Sequence, residues 1–208
     1  MVVMDDVMVI TLFRHGLTEE NKRQAYLGWN DSPLLPEEEE KLTRFHLTDR
    51  LVFSSDLGRC LTTAKSLFPS GYPEKVTEFR ELHFGVWQGK TFEDLSGDPQ
   101  YEQWLQDFCS VTPPEGESYK EFAKRVDCGW QKVRGSLHVH QQNRATIITH
   151  GGVIKYLLSQ FAPEEKAFWD WKVPHGNGFE LIWQKDGWKR GERCILLQEV
   201  PLMANLNG

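Results

Sequence analysis

A chain of 208 residues is long enough for one generous α/β domain with a full hydrophobic core, and length alone would also admit two small ones. Its 39% of apolar and 26% of charged residues are those of an ordinary globular protein, not of a disordered tail or a membrane bundle. A formal charge of −6 lacks the basic footprint of nucleic-acid and anionic-membrane binders, although a local arginine cluster can still reverse the field inside a cleft.

The first predicted element is a buried strand over 7–13, the β-branched run VMVITLF, which ends in Arg14-His15-Gly16. A helix is expected to begin within 17–23. Trp29-Asn30-Asp31-Ser32-Pro33 reads as a loop. Pro36 and the four glutamates after it read as the first turn of a second helix, where a fixed φ and negative charge both suit the N-terminus. A second strand, 51–55, precedes Asp56 and a helical pattern over 57–68. The aromatic, irregular stretch 78–89 reads as loop with one turn of structure, and two or three helices are expected within 92–108. Pro113-Pro114-Glu115-Gly116 breaks the chain before a long helix over 118–138. Ala145-Thr146-Ile147-Ile148-Thr149 is the clearest strand; His150-Gly151-Gly152 and a helix through Phe161 follow it. Segments 179–183 and 194–198 read as two last strands.

Strands alternating with helices imply an α/β fold, a three-layer α/β/α sandwich with a mostly parallel central sheet. No repeat or linker divides the chain, so residues 1–208 are expected to form a single domain with a helical cap or insertion at 90–142. Acids in Met1-Val2-Val3-Met4-Asp5-Asp6 stand where a signal peptide would carry positive charge, and no apolar run approaches the roughly 18 residues of a membrane span. Cys60, Cys109, Cys128 and Cys194 form no C-x-x-C pair, so neither a zinc knuckle nor a redox motif is indicated. The expectation is a cytoplasmic protein with reduced thiols and a small-molecule partner, with no nucleic acid or membrane bound. Oligomeric state is left open.

Two of the predicted strands end alike, in Phe13-Arg14-His15-Gly16 and in Thr149-His150-Gly151-Gly152. Open α/β sheets bind ligands beyond the carboxyl ends of their strands. There the next helix offers free N–H groups and a positive dipole end, and glycine lets a bound group approach the backbone. The strand at 51–55 leads into a helix carrying Arg59, which can converge with Arg14; the guanidinium fork donates two parallel hydrogen bonds to a phosphate. A single histidine after a strand would be read as a structural residue. Two histidines, two arginines and helix N-termini together describe a pocket for a dianion.

At these residues the sequence resembles the histidine phosphatase superfamily, also called phosphoglycerate mutase-like. Arg14-His15-Gly16-Leu17-Thr18-Glu19-Glu20-Asn21 is similar to its R-H-G-x-T-x-x-N signature, and Ser54-Ser55-Asp56-Leu57-Gly58-Arg59 with Thr63-Ala64 to its S-S-x-L-x-R segment. Arg80-Glu81-Leu82-His83-Phe84-Gly85 resembles the acid-bearing loop, and Thr149-His150-Gly151-Gly152 the second histidine motif. The blocks occur in family order across residues 7–160. The resemblance implies a phosphoglycerate mutase-like fold and a nucleophilic His15 that forms a phosphohistidine. It gives phosphate binding to Arg14, Arg59 and His150, an orienting role to Asn21, and a backbone donor near Gly16 or Gly151. Glu81 is implied as general acid and then base, with Glu78 the competing acid three residues upstream and His83 structural or substrate-facing. No metal or cofactor is implied, because arginines and imidazole supply the positive charge. A mildly acidic to neutral optimum follows if His15 must be neutral and Glu81 protonated.

The resembling family includes phosphatases and mutases. The stretch between Glu81 and His150 is short and aromatic, and its cations, Lys120, Lys124, Arg125, Lys132 and Arg134, read as the solvated face of a helix. This favours the compact phosphatase branch, with broad-specificity or α-ribazole phosphate phosphatases as its members. A cofactor-dependent phosphoglycerate mutase and a non-catalytic phospho-ligand sensor stay open. The eight tryptophans supply either a lid or, more in keeping with their usual use, core.

Overall fold

The computed structural model describes residues 6–43, 47 and 49–201, so the acidic N-terminal run lies outside the described residues except for Asp6. In chain order the elements are β1 (Val7–Arg14), α1 (Glu19–Lys22), α2 (Pro36–Leu42), β2 (Val52–Ser54), α3 (Gly58–Leu67) and β3 (Glu74–Lys75). Two one-turn 3-10 segments follow, Thr77–Phe79 and Gly85–Trp87, then α4 (Phe92–Leu95), α5 (Pro99–Gln106) and α6 (Tyr119–Val139). The chain ends with β4 (Arg144–Thr149), α7 (Gly151–Phe161), a 3-10 turn at Phe168–Asp170, β5 (Asn177–Gln184), α8 (Lys185–Arg190) and β6 (Leu196–Pro201).

The strands form one sheet in the order β3-β2-β4-β1-β5-β6. Pairing is parallel from β3 through β1 and antiparallel on both sides of β5, which alone runs against the rest. The sheet is therefore mixed but mostly parallel. Burial on both faces explains why β1 is apolar apart from Thr11 and Arg14: Met8, Ile10 and Leu12 enter one core, while Phe13 enters the core on the opposite face. β4 divides in the same way, with Ala145 and Ile147 on one side and Ile148 on the other.

Helices cover both faces, which makes the three layers. α3 puts Cys60, Ala64 and Leu67 on one side, at helical spacing. α6 packs Phe122, Val126, Trp130, Val133 and Leu137 on the other, beside Val153, Ile154, Leu157 and Leu158 of α7. A capping box between Ser118 and Glu121 starts α6 directly after the predicted proline break. Within 90–142, then, α6 belongs to the sandwich. A separate cluster of Trp87, Leu95, Tyr101 and Trp104, flanked by Tyr26, Phe84 and Phe108, gathers α4 and α5.

Several expectations are refined. The stretch at 78–89 holds two turns, and 92–108 holds two helices. β3 and α8 were not predicted: β3 has two exposed, charged residues, and α8 is a six-residue helix with no apolar period. Six tryptophans are buried, whereas Trp29 is half-buried and Trp169 is 53% exposed. No helix among the described residues is long and apolar enough to cross a membrane.

Candidate active site

Parallel pairing of β1 with β4 sets Arg14 opposite Thr149, so the residues that follow, His15 and His150, leave the sheet side by side. Their ring centroids are 5.1 Å apart, with the planes at 63°. β2 ends against the same strand, and Ser55 N–H donates to the Ile148 carbonyl at 2.9 Å. Three carboxyl ends thus converge on one rim.

His15 is buried, and its Nδ1 lies 2.8 Å from the Gly16 carbonyl. A carbonyl only accepts, so Nδ1 carries the proton and Nε2 keeps its lone pair. Burial, with the charges of Arg59 and Arg14 beside it, holds the imidazole well below its usual pKa and therefore neutral. His150 is fully buried, and burial followed by the Arg59 charge lowers it in the same direction. Its Nε2 lies 2.9 Å from Ser55 Oγ and 3.4 Å from Cys60 Sγ. Burial pushes the Cys60 thiol up to about 12, so it is an inert neighbour rather than a second nucleophile.

Arg14 donates Nη1 to the Val173 carbonyl at 2.6 Å, while its Nε is buried without a protein partner. Burial lowers its pKa to about 10, which still leaves it charged. Gly151 leaves room for this approach: a Cβ there would sit a tight 3.2 Å from Arg14 Cζ. Arg59 donates Nη1 to Asn30 O and Nη2 to Gly28 O, each at 2.7 Å, and its Nε is likewise unpartnered. Asp31 sits 3.6 Å from the guanidinium and also accepts the N–H groups of Gly58 and Arg59, capping α3 from outside the helix.

Glu81 comes to the same rim from the loop before the second 3-10 turn. Its Oε2 accepts Gly152 N–H at 3.0 Å and its Oε1 accepts Leu82 N–H at 2.9 Å. The Glu81 carbonyl accepts from Trp29 Nε1 at 2.8 Å and from Arg125 Nη2 at 3.2 Å. Glu78, the competing acid, faces away and pairs with Lys132 on α6. His83 packs its ring on Trp29, at 4.7 Å between centroids. Asn21 is turned to Thr18, whose hydroxyl donates to Asn21 Oδ1 at 2.9 Å. The Gly16 N–H is taken by Thr63 Oγ1 at 3.1 Å, whereas Gly151 opens α7, where helical N–H groups have no intrahelical partner.

A cleft of about 200 Å³ opens beside these groups. Arg14, Glu81, Gly151 and Gly152 line its polar part, and Tyr26, Phe84, Phe108, Phe122, Phe168 and Trp169 its aromatic part. Lys155, one turn along α7, stands in the same wall with Nζ 4.8 Å from the Trp169 ring. A wider groove of about 1030 Å³ lies by Met8, Arg134 and Trp188, at the opposite end of β1, and none of the predicted site residues lines it.

Sequence reasoning missed two residues here. His175, in the loop before β5, sets its ring 5.4 Å from that of His15. No strand ends before it in the sequence; an antiparallel strand brings its amino end to the rim where parallel strands bring their carboxyl ends. Arg125 was read as part of a solvated helix face. It is instead largely buried, donating to the carbonyls of Glu78, Arg80 and Glu81 and to Glu117.

The fold and this rim define a class of protein. The family model of the histidine phosphatase superfamily (branch 1) matches residues 10–192, and the chain belongs to that family. It is 28% identical over 180 residues to the adenosylcobalamin/alpha-ribazole phosphatase of Escherichia coli (strain K12), covering 81% of this chain and 87% of that protein. The structure of the alpha-ribazole phosphatase from Shigella flexneri superimposes with a TM-score of 0.79 at 22% identity, covering 93% of this chain and 96% of that one. A phosphoglycerate mutase from Thermus thermophilus is 31% identical with a TM-score of 0.67, covering 91% of this chain and 98% of that one.

Proposed function

We propose that this protein is a phosphomonoesterase that hydrolyses small phosphorylated metabolites through a phosphohistidine on His15. One observation carries the reading: His15, with Nδ1 tied to a carbonyl, presents a neutral Nε2 beside His150 and within reach of the Arg59 and Arg14 charges.

In the first step Nε2 attacks phosphorus, the bond to the leaving oxygen breaks, and Glu81 in its acid form gives that oxygen a proton. Arg14, Arg59, His150 and the Gly151 N–H hold the equatorial oxygens as charge spreads over them, and Asn21 helps orient them. In the second step the Glu81 carboxylate takes a proton from water, the hydroxide attacks, and the phosphorus–nitrogen bond breaks to release phosphate. The chain's own cations supply the positive charge for both steps.

The cleft supports a leaving group with a flat or apolar part. A substrate such as α-ribazole phosphate, which the Escherichia coli relative's name carries, fits that chemistry, as does a broader set of aryl and alkyl phosphates. We take α4, α5 and the chain to Val111 as the cap over this cleft, and the cytoplasm as the site of action. Among the described residues lining the cleft, Arg14 and Lys155 are the only lysine or arginine. Lys120 and Lys124 are exposed and elsewhere, which weighs against a mutase holding a second phosphate and a carboxylate.

The test is turnover of p-nitrophenyl phosphate by the purified chain, with acid-labile, base-stable label trapped on wild type and absent from His15→Ala. Activity that requires a bisphosphoglycerate primer would instead assign a mutase. Phosphate-ester binding without turnover would assign a sensor.

A further inference from the structure

Three side-chain nitrogens around the nucleophile are buried and bonded to nothing in the protein: Arg14 Nε, Arg59 Nε and His175 Nε2. The first two belong to the phosphate-binding arginines. The third sits on a loop stitched to the nucleophile's own strand from both sides. Val173 accepts Arg14 Nη1 at 2.6 Å, and Gly176 N–H reaches the His15 carbonyl at 3.4 Å. Gly176 takes φ +65°, a conformation glycine adopts without strain, and this turns the chain from His175 into β5. The ring of His175 then stands edge-on to that of His15, at 5.4 Å and 64°.

We propose that His175 is a phosphoryl-oxygen ligand, its Nε2–H donating to an oxygen of the group being transferred to His15. The sheet order supplies the reason. β4, β1 and β5 are adjacent, so His150, His15 and His175 stand in a row along one rim. His150 and His175 flank the nucleophile, and each contacts its ring. A buried nitrogen without a partner is costly to keep, so its retention here asks for a partner that arrives with the substrate. Burial and the Arg14 and Arg59 charges hold His175 down to about 3, so it meets a phosphate dianion as a neutral donor. It adds a hydrogen bond without a further charge to the two guanidiniums.

The inference rests on the phosphatase reading, and one experiment separates the two. Orthovanadate, which mimics the five-coordinate transferring group, and inorganic phosphate are titrated as inhibitors of p-nitrophenyl phosphate hydrolysis. The proteins compared are wild type, His175→Gln, His175→Asn and His175→Ala. Glutamine places an amide nitrogen where Nε2 was; asparagine places one at Nδ1. His175→Ala is expected to weaken vanadate inhibition about tenfold. His175→Gln should stay within about threefold of wild type, and His175→Asn should follow alanine. Unchanged vanadate affinity in His175→Ala, or glutamine no better than alanine in a folded protein, overturns the proposal. If the variants do not fold, histidine-labelled wild type is titrated with vanadate by 15N NMR. Three perturbed imidazoles support the proposal, and only two overturn it. Wild type that neither turns over ester nor binds vanadate sinks both this inference and the phosphatase reading.

Discussion

Glu81 Oε2 accepts the backbone N–H of Gly152 at 3.0 Å, and a Cβ at position 152 would fall on the other carboxylate oxygen. The proposed acid is therefore seated on the first turn of α7, in space kept open by a missing side chain. Gly152→Ala should push the carboxylate aside while leaving the helix intact, since alanine stabilises a helix by about 0.5–1 kcal/mol over glycine. Hydrolysis of alkyl phosphates, which need leaving-group protonation, is expected to fall about 10²-fold. Formation of the phosphoenzyme from p-nitrophenyl phosphate should fall much less, with Tm unchanged or slightly raised. A parallel loss for both ester classes in single-turnover assays would count against the acid role.

Arg125 is the fixed point behind that carboxylate. Its guanidinium donates to three carbonyls of 78–81 and to Glu117, with 17% and 14% of the two side chains exposed. Removing it strands a largely buried carboxylate and frees the loop. Arg125→Ala is expected to lower stability by about 2–3 kcal/mol and turnover by tenfold or more. Arg125→Lys should recover little, because one ammonium cannot span three carbonyls and a carboxylate. Urea titration beside steady-state kinetics reads both effects, and a lysine variant with wild-type kinetics would refute the clamp.

How the sequence revealed this site depended on where each residue sits in the chain. His15, His150 and Arg59 follow strands or open helices, where local pattern and motif coincide, so their positions on the rim were legible. β1, β4, α6 and α7 have strong periods and emerged close to their observed bounds. Arg125 and Lys132 lie in the same helix period, and nothing local distinguishes the one that clamps a loop from the one that pairs with Glu78 in solvent. His175 stands between Pro174 and Gly176 with no strand before it; only the reversal of β5 carries it to the nucleophile. Ser55 belongs to a motif and Cys60 to none, and the contacts of both with His150 depend on β2 pairing with β4.

The buried histidines make stability fall in mild acid. His15, His150 and His175 all have folded-state pKa values below the ordinary 6.5, with burial the largest cause. The unfolded chain therefore binds protons that the folded chain refuses, and stability rises with pH through this window. Their contribution is fully present above pH 6.5 and is lost as pH falls from there toward about 3, the folded value of His175. Each neutral histidine adds a slope of about 1.4 kcal/mol per pH unit once the unfolded imidazole is protonated. Urea midpoints at pH 7.5 and 5.5 should differ accordingly, and His175→Gln should reduce the difference. Equal midpoints at the two values would show that the histidines titrate normally. Catalysis should respond differently: His15 stays neutral below pH 6.5, so phosphoenzyme formation from p-nitrophenyl phosphate should not lose its nucleophile there.

Trp169 and Lys155 test where the leaving group goes. Lys155 Nζ lies 4.8 Å from the Trp169 ring and 5.7 Å from that of Phe168. Burial and the nearby Arg14 lower its pKa. Trp169 is 53% exposed, so its removal opens the cleft wall without hollowing the core. If the leaving group enters the aromatic part, Trp169→Ala should lower kcat/KM for aryl phosphates about tenfold, the scale of a lost aromatic contact. Small alkyl phosphates should change by less than about twofold, because they leave that wall empty. Lys155→Ala should separate charge from shape, reducing kcat/KM for 4-carboxyphenyl phosphate more than for phenyl phosphate. That gap should narrow in high salt, as expected for a half-exposed ion pair. Equal losses across aryl, carboxyaryl and alkyl esters in either variant would mean that the leaving group points elsewhere, and the aromatic wall would then have only a packing role.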